Sequence, residues 1–357
     1  LRKVGRDATL ADGRIAASGR LVLPLADGLT FDDIDLAFAG TLRDVESAKA
    51  IPGKTIRGDG LSVKLDNSGV TIAGQANVSG VPVDGRWTQP FGGGGSEVVA
   101  DITLSPKTLA DFGVSLPNGM LRGQGTGALR VDLPPNAPPR FELESDLAGL
   151  GLAVPQIGWS LAPGTTGRFT IAGNLSPGLQ NAELTLKGGG MDAAGQLVLS
   201  TSGAFERLDL SRVTVADWLE VSGRLRARGG NSAPAVEISS GRVDLRSAPF
   251  GASGTSGGGG GGGPLALTLD SLRVTDSIEL RAFRGNFDLA RGLEGRFDGQ
   301  LGGATPVAGQ VIPQAGGSAF RISGEDAGDI LKAAGLLKTV KDGTFNLDLA
   351  PVSGQPG

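Results

Sequence analysis

Residues 61–78 read LSVKLDNSGVTIAGQANV, and the pattern of the whole chain is contained in them. Leu61, Val63 and Leu65 alternate with polar residues, Asn67-Ser68-Gly69 forms a turn, and the alternation resumes at Val70 and Ile72. A period of two places one set of side chains on one face of a strand and the polar set on the other. Two such runs joined by a short Gly-containing turn predict a β-hairpin.

The same pattern repeats from end to end. GALRVDL sets Leu129 and Val131 against Arg130 and Asp132; RFTIAG carries Phe169 and Ile171; AELTLKG carries Leu184 and Leu186. GQLVLST adds Leu197 and Leu199, RLDLSR adds Leu208 and Leu210, and GRVDL adds Val243 and Leu245. Further on come Leu267 and Leu269, then Phe287 and Leu289, and finally Phe345 and Leu347. Roughly twenty segments joined mostly by short turns predict a mainly β protein with a mostly antiparallel sheet. If they stack side by side, the sheet is roughly 95 Å long.

Composition narrows the function. The 357 residues contain no His, Cys or Tyr. That removes the usual general base, the thiolate nucleophile and the His/Cys zinc ligands. An enzyme is not expected, nor is a cofactor or metal. A net charge of −4 with both signs interspersed lacks the basic, aromatic-studded face of a nucleic-acid binder. No apolar run approaches the ~18 residues of a membrane-spanning helix. The 61 glycines lack a collagen period and separate alternating apolar runs, so they read as turn chemistry rather than disorder.

One-sided strands can be buried in several ways. Stacked sandwiches should show a modular period near 100 residues, which is missing. A membrane barrel should show aromatic girdles, and a β-helix should show a repeat of about twenty residues. The remaining expectation is a long, twisted sheet curved into a groove lined by the apolar residues named above. Trp87, Trp159 and Trp218 are expected in a core.

Only the stretch beginning GEDAGDILKAAG, from Gly324, reads clearly as a helix, expected over 326–337. Ala327, Ile330, Leu331 and Ala334 share a helical face, and Ile330, Leu331 and Ala334 are candidates for a plug against the groove. Glu325, Asp326 and Asp329 suit a helix N-terminus, with Ser323 or Asp326 as cap; the competing reading is a carboxylate cluster for a metal. Ser105-Pro106 opens a second, shorter helix, with Leu109 and Phe112 on one face. The spacing of a phosphate-binding loop is absent, because Ala48 stands where glycine is needed before Gly53-Lys54-Thr55. Arg57-Gly58-Asp59-Gly60 reads as a turn, and Arg224, Arg226 and Arg228 as a solvated outer face. The chain is expected to form one continuous body. Its sub-regions are 1–135 and 136–250, a flexible Gly-rich loop at 251–264, and a C-terminal region at 265–357.

Several stretches resemble large AsmA-like proteins, particularly the YhdP-like branch. They are GVTIAGQANVSGVPVDGRWTQPF (69–91), DLAGLGLAVPQIGWSL (146–161), SSGRVDLRSAPF (239–250) and GEDAGDILKAAGLLKTVKDGTFNLDL (324–349). The likeness runs from about residue 55 onward and is strongest after Leu265. It implies a U-shaped β-groove carrying phospholipids between inner and outer membranes of a Gram-negative bacterium. It also implies a periplasmic location, a tether to the inner membrane through an N-terminal anchor outside this piece, and outer-membrane or envelope proteins as further partners. It supplies no catalytic residues. The alternative is a structural or adhesive β-rod with a closed core and no ligand.

Overall fold

The computed structural model describes residues 11–25, 30, 33–51, 54–111, 119–154, 157–175, 179–200, 204–229, 232–249, 262–290, 292–314, 317–337 and 339–350. Among these, one 21-stranded sheet dominates, accompanied by a three-stranded sheet and two short helices.

The large sheet is a meander. β1 (Asp12–Val22) lies beside the long β2 (Asp35–Ile51), which pairs with both β3 (Lys54–Gly58) and β4 (Leu61–Asp66). β5 (Gly69–Val78), β6 (Val81–Pro90) and β7 (Ser96–Leu104) follow in order. The chain then leaves through α1 (Pro106–Asp111) and β8 (Leu121–Gly123), and rejoins the sheet at β9 (Gly125–Leu133) and β10 (Arg140–Ser145). A second departure makes β11 (Leu150–Val154) and β12 (Trp159–Leu161), which join β8 as the small sheet.

Neighbouring strands then follow one another: β13 (Arg168–Leu175), β14 (Leu179–Gly188), β15 (Met191–Leu199), β16 (Phe205–Val215), β17 (Leu219–Arg226) and β18 (Ala235–Asp244). β19 (Pro264–Arg273), β20 (Glu279–Asp288), β21 (Glu294–Leu301), β22 (Thr305–Gln314) and β23 (Gly317–Gly324) continue the order. α2 (Ala327–Ala333) precedes the last strand, β24 (Phe345–Leu349). The boundary drawn at 135/136 falls in the β9–β10 hairpin, where pairing continues unbroken.

Among the described residues, every pairing in the large sheet is antiparallel except β18–β19, which is parallel. A hairpin cannot join parallel neighbours, because the chain must return along the full strand before starting again. That return is residues 245–263, most of the Gly-rich stretch; residues 250–261 lie outside the described residues, and Pro264 already belongs to β19. The opening hairpin is as expected: Asp66 pairs with Gly69 across Asn67 and Ser68. Asn67 also works at a distance, its Oδ1 accepting from Leu36 N at 2.8 Å and its Nδ2 donating to Ile34 O at 2.7 Å, which fastens the start of β2.

Both helices begin where the sequence places them. Asp326 caps α2, its Oδ1 accepting from Asp329 N at 2.9 Å, and Ser105 Oγ accepts from Thr108 N at 3.1 Å at the start of α1. The expectation of a helix to residue 337 is corrected, since α2 stops at Ala333 with Ala334 as C-cap. Gly335 turns left-handed (φ +73), its N–H bonds Lys332 O at 3.0 Å, and Leu336 N–H bonds Leu331 O at 2.9 Å. This paired closure is a Schellman stop, which glycine allows without a Cβ clash. Phe112 lies outside the described residues, and it is Thr108, not Leu109, that α1 buries.

Candidate functional site

One face of the large sheet is apolar across its strands, and strand register turns that alternation into continuous rows. One row runs Ala100–Leu129–Leu143–Ile171–Leu184, each residue the cross-strand partner of the next. It continues through Gly195, Leu210, Gly223, Ile238 and Leu267, then Gly285, Phe297, Gly309, Ile322 and Leu347. A second, parallel row contains Val63, Ile72, Trp87, Val98 and Val131, and further on Leu197, Leu208, Leu225, Val236 and Leu265, then Phe287. The unit is the directly opposed pair on one face, repeated without a polar break.

Most of the apolar residues picked from alternation fall in these rows or the adjacent ones. Phe169 partners Leu186, Leu269 partners Phe283, Leu65 partners Val70, and Val243 partners Leu219. Leu199 closes β15 and is buried, while Phe345 and Leu347 lie on the terminal strand β24. Leu245 and Leu289 fall just past the ends of β18 and β20, so they belong to connections rather than strands.

The two margins of this face differ. At the margin where β7 ends and β15 begins sit α1, the small sheet, Trp218 and α2. Ile102, Leu104, Leu150, Trp159, Leu161, Met191, Val215, Trp218, Leu280, Leu301 and Ile330 form one buried cluster there. Trp159 donates from Nε1 to Gly189 O at 3.0 Å, tying the small sheet to the β14–β15 turn. Ile330, 4 % exposed, sits over Gly324: a Cβ on that glycine would come within 2.3 Å of its Cδ1. Of the three expected plug residues, Ile330 is therefore buried, whereas Leu331 and Ala334 are half-buried. At the opposite margin no comparable cluster forms among the described residues over β13–β22: Ile171, Leu184, Leu197, Leu208, Leu267 and Phe287 are half-buried, whereas Ala182, Leu199 and Val311 are buried. Here Phe297 lies flat over Gly309, where a Cβ would meet the ring at 2.2 Å, and stacks on Phe283 at 5.6 Å between centroids.

The other face carries the charges, largely neutralised across strands. Arg224 lies between Asp209 (3.6 Å) and Glu237 (3.9 Å), and Arg226 reaches Glu237 at 3.5 Å. Arg212 and Lys187 flank Asp192 at 2.9 and 3.1 Å, and the Lys187 hydrogen bond, followed by Arg212, holds its carboxyl below the usual range. Arg246 bridges Asp244 and Asp276, and its hydrogen bond pulls the Asp244 pKa down to about 2. Arg57 of the RGD tripeptide pairs with Glu46 at 2.9 Å, and Asp59-Gly60 is the bend into β4.

No family model, curated protein or solved structure matches this chain. The site therefore rests on its own geometry. Among the described residues no three carboxylates converge to hold a metal ion, and Asp326 is engaged as a helix cap. A concavity of about 810 Å³ is bordered by Asp44, Glu46, Asp59, Asp84 and Asp101 with Arg57, and Asp84 stands directly opposite Asp101. Among the described residues no helix is long and apolar enough to cross a membrane.

The alternation pointed to the apolar face but not to its cover. β11 and β12 are short, and Leu150, Leu161 and Met191 were not among the expected lining residues. The signal for β11 was the brief alternation of Leu150, Leu152 and Val154.

Proposed function

We propose that this chain is a section of a lipid conduit, shielding the acyl chains of phospholipids on the apolar face of its large sheet. The observation that carries this is the set of apolar rows, many of whose residues are half-buried along one margin, Ala182, Leu199 and Val311 being buried, while charged side chains lie on the other face. Burying a methylene is worth ~0.8 kcal/mol, so an acyl chain gains several kcal/mol there without a specific contact. Weak specificity suits passage along the rows. The resemblance to AsmA-like, YhdP-like proteins supports the same reading. It adds a periplasmic setting, a tether to the inner membrane, envelope protein partners and delivery towards the outer membrane, on a sheet curved into a groove.

A charge in the rows tests this. Leu186→Asp places a carboxylate on the apolar face of β14, two residues before its end at Gly188. Transfer of a fluorescent phospholipid between vesicles should fall about tenfold, with the β circular-dichroism signal retained. Transfer at the original rate in a folded Leu186→Asp chain would remove the continuous path. The rod alternative draws on the buried rows at the covered margin and predicts a chain that neither holds nor transfers lipid.

A further inference from the structure

We infer that a hinge line crosses the large sheet from β16 to β20, marked by one residue in excess on each of four strands: Ser211, Ser239, Asp270 and Ala282. It rests on strand register and is independent of the lipid-conduit reading.

On these strands the apolar alternation breaks once, at a common level. β16 presents Leu208 and Leu210 before the break and Val213 and Val215 after it. β18 passes from Val236 and Ile238 to Val243, β19 from Leu267 and Leu269 to Leu272, and β20 from Leu280 to Phe283. A slip of one residue would send every later side chain to the opposite face. The extra residue absorbs that slip as a bulge, and a bulge bends its strand. β17, lying between two of the broken strands, keeps one phase through Leu219, Val221, Gly223 and Leu225.

The ladder is thin along this line. Pairing jumps from Leu210–Gly223 to Val213–Val221, from Ile238–Leu267 to Arg242–Ser271, and from Arg281–Gln300 to Arg284–Asp298. Exposed side chains bridge the gaps instead. Ser211 Oγ donates to Ala194 O at 3.1 Å, Ser239 Oγ donates to Ser222 O at 3.3 Å, and Asp270 Oδ2 accepts from Gly241 N at 3.0 Å. Ala282 stands at φ +49, a left-handed conformation that a residue with a Cβ adopts at a cost. A solvent-exposed, sparsely paired line opens before the ladders that flank it. The line also divides burial: Val213, Val215, Leu219 and Val221 on one side are 8 % exposed or less, whereas Leu208, Leu210, Leu225 and Ile238 on the other are half-buried. Bending here tilts the half-buried panel against the sealed one and leaves the buried cluster whole.

Amide hydrogen exchange on the unaltered chain reads the line first. Amides at Ser211–Val213, Ser239–Gly241 and Ala282–Arg284 should exchange about tenfold faster than those farther along the same strands. Equal protection overturns the hinge. Deleting Ser211 then closes the β15–β16 and β16–β17 ladders with their apolar faces still in phase. The deletion should slow exchange at β16 and also at Ser239–Gly241, two strands away, because a hinge moves as one. Slowing confined to β16, or none, in a chain that keeps its β circular-dichroism signal shows separate static bulges and overturns the hinge. Deleting Ser222 from β17, which has no residue in excess, puts Leu225 out of phase and should lower the melting temperature far more. A Ser211 deletion as damaging as the Ser222 deletion removes the phase-correcting role on which the line is built.

Discussion

Met191 and Leu197 stand on the same strand and face the same side, yet one is sealed and the other is half-open. The difference lies in what the chain does between strands. At the margin near Met191, the connections grow into α1, the small sheet and α2, and their apolar residues complete a dry cluster. At the margin near Leu197 the described residues form no such cluster, although Leu199 and Val311 are buried. A one-sided sheet ordinarily buries its apolar face against another layer. Here the described residues build only half of that layer, and the uncovered half is where the functional reading resides.

The sharpest way to break this contrast is to truncate one leucine on each side. Leu161→Ala, at 1 % exposure in the small sheet, should cost about 2–5 kcal/mol in urea unfolding, with Trp159 fluorescence reporting the loss. Leu184→Ala, on the half-buried row, should cost about 1 kcal/mol. Equal costs would mean that the two margins are packed alike. A smaller effect is expected at the helix that contributes to the cover. Asp326→Ala removes the bond to Asp329 N and should cost about 1 kcal/mol, with amide exchange rising first across Ala327–Ala333. Loss confined to the distant β1–β6 would contradict the placement of α2.

The smallest effect concerns the charged face, which should not influence the apolar one. Asp244 titrates at about 2 in the fold against an ordinary 3.8, so the folded chain binds fewer protons than the unfolded one in that interval. Its contribution is complete above about pH 4 and disappears as pH falls through about 2. Because the Arg246–Asp244 pair lies at the surface and stays partly solvated, the effect should be slight and weakened by salt. An Asp244→Asn chain should show a shallower acid limb in a pH series of melting temperatures; an unchanged limb would remove Asp244 from the acid response.

Much of the fold is visible in the residues themselves. The alternation around Leu129, Leu184 and Phe287 marks faces directly, since the pleat has the same period as the pattern. Asp326 and Ser105 mark helix starts because capping is local chemistry. What stays hidden depends on distant partners. The overlong helix is a different case, since the stop at Gly335 is local chemistry that the sequence displays, and in the fold its left-handed turn ends the helix. The parallel β18–β19 pair could not be seen because nothing local in Val236 or Leu265 specifies the direction of a neighbour. Glycine was read as turn chemistry, but Gly309 and Gly324 lie within β22 and β23, where Phe297 and Ile330 need their missing side chains as space. The small sheet was invisible for the related reason that strands of three to five residues carry too few alternations to show a period.

The most direct measurement of the central claim is native mass spectrometry of the purified chain, followed by organic extraction and lipid analysis. The half-covered apolar face predicts phospholipid co-purifying at a defined stoichiometry, released by detergent and taken up again from vesicles. A chain that is lipid-free as purified, and that remains so after incubation with phospholipid vesicles, would contradict it.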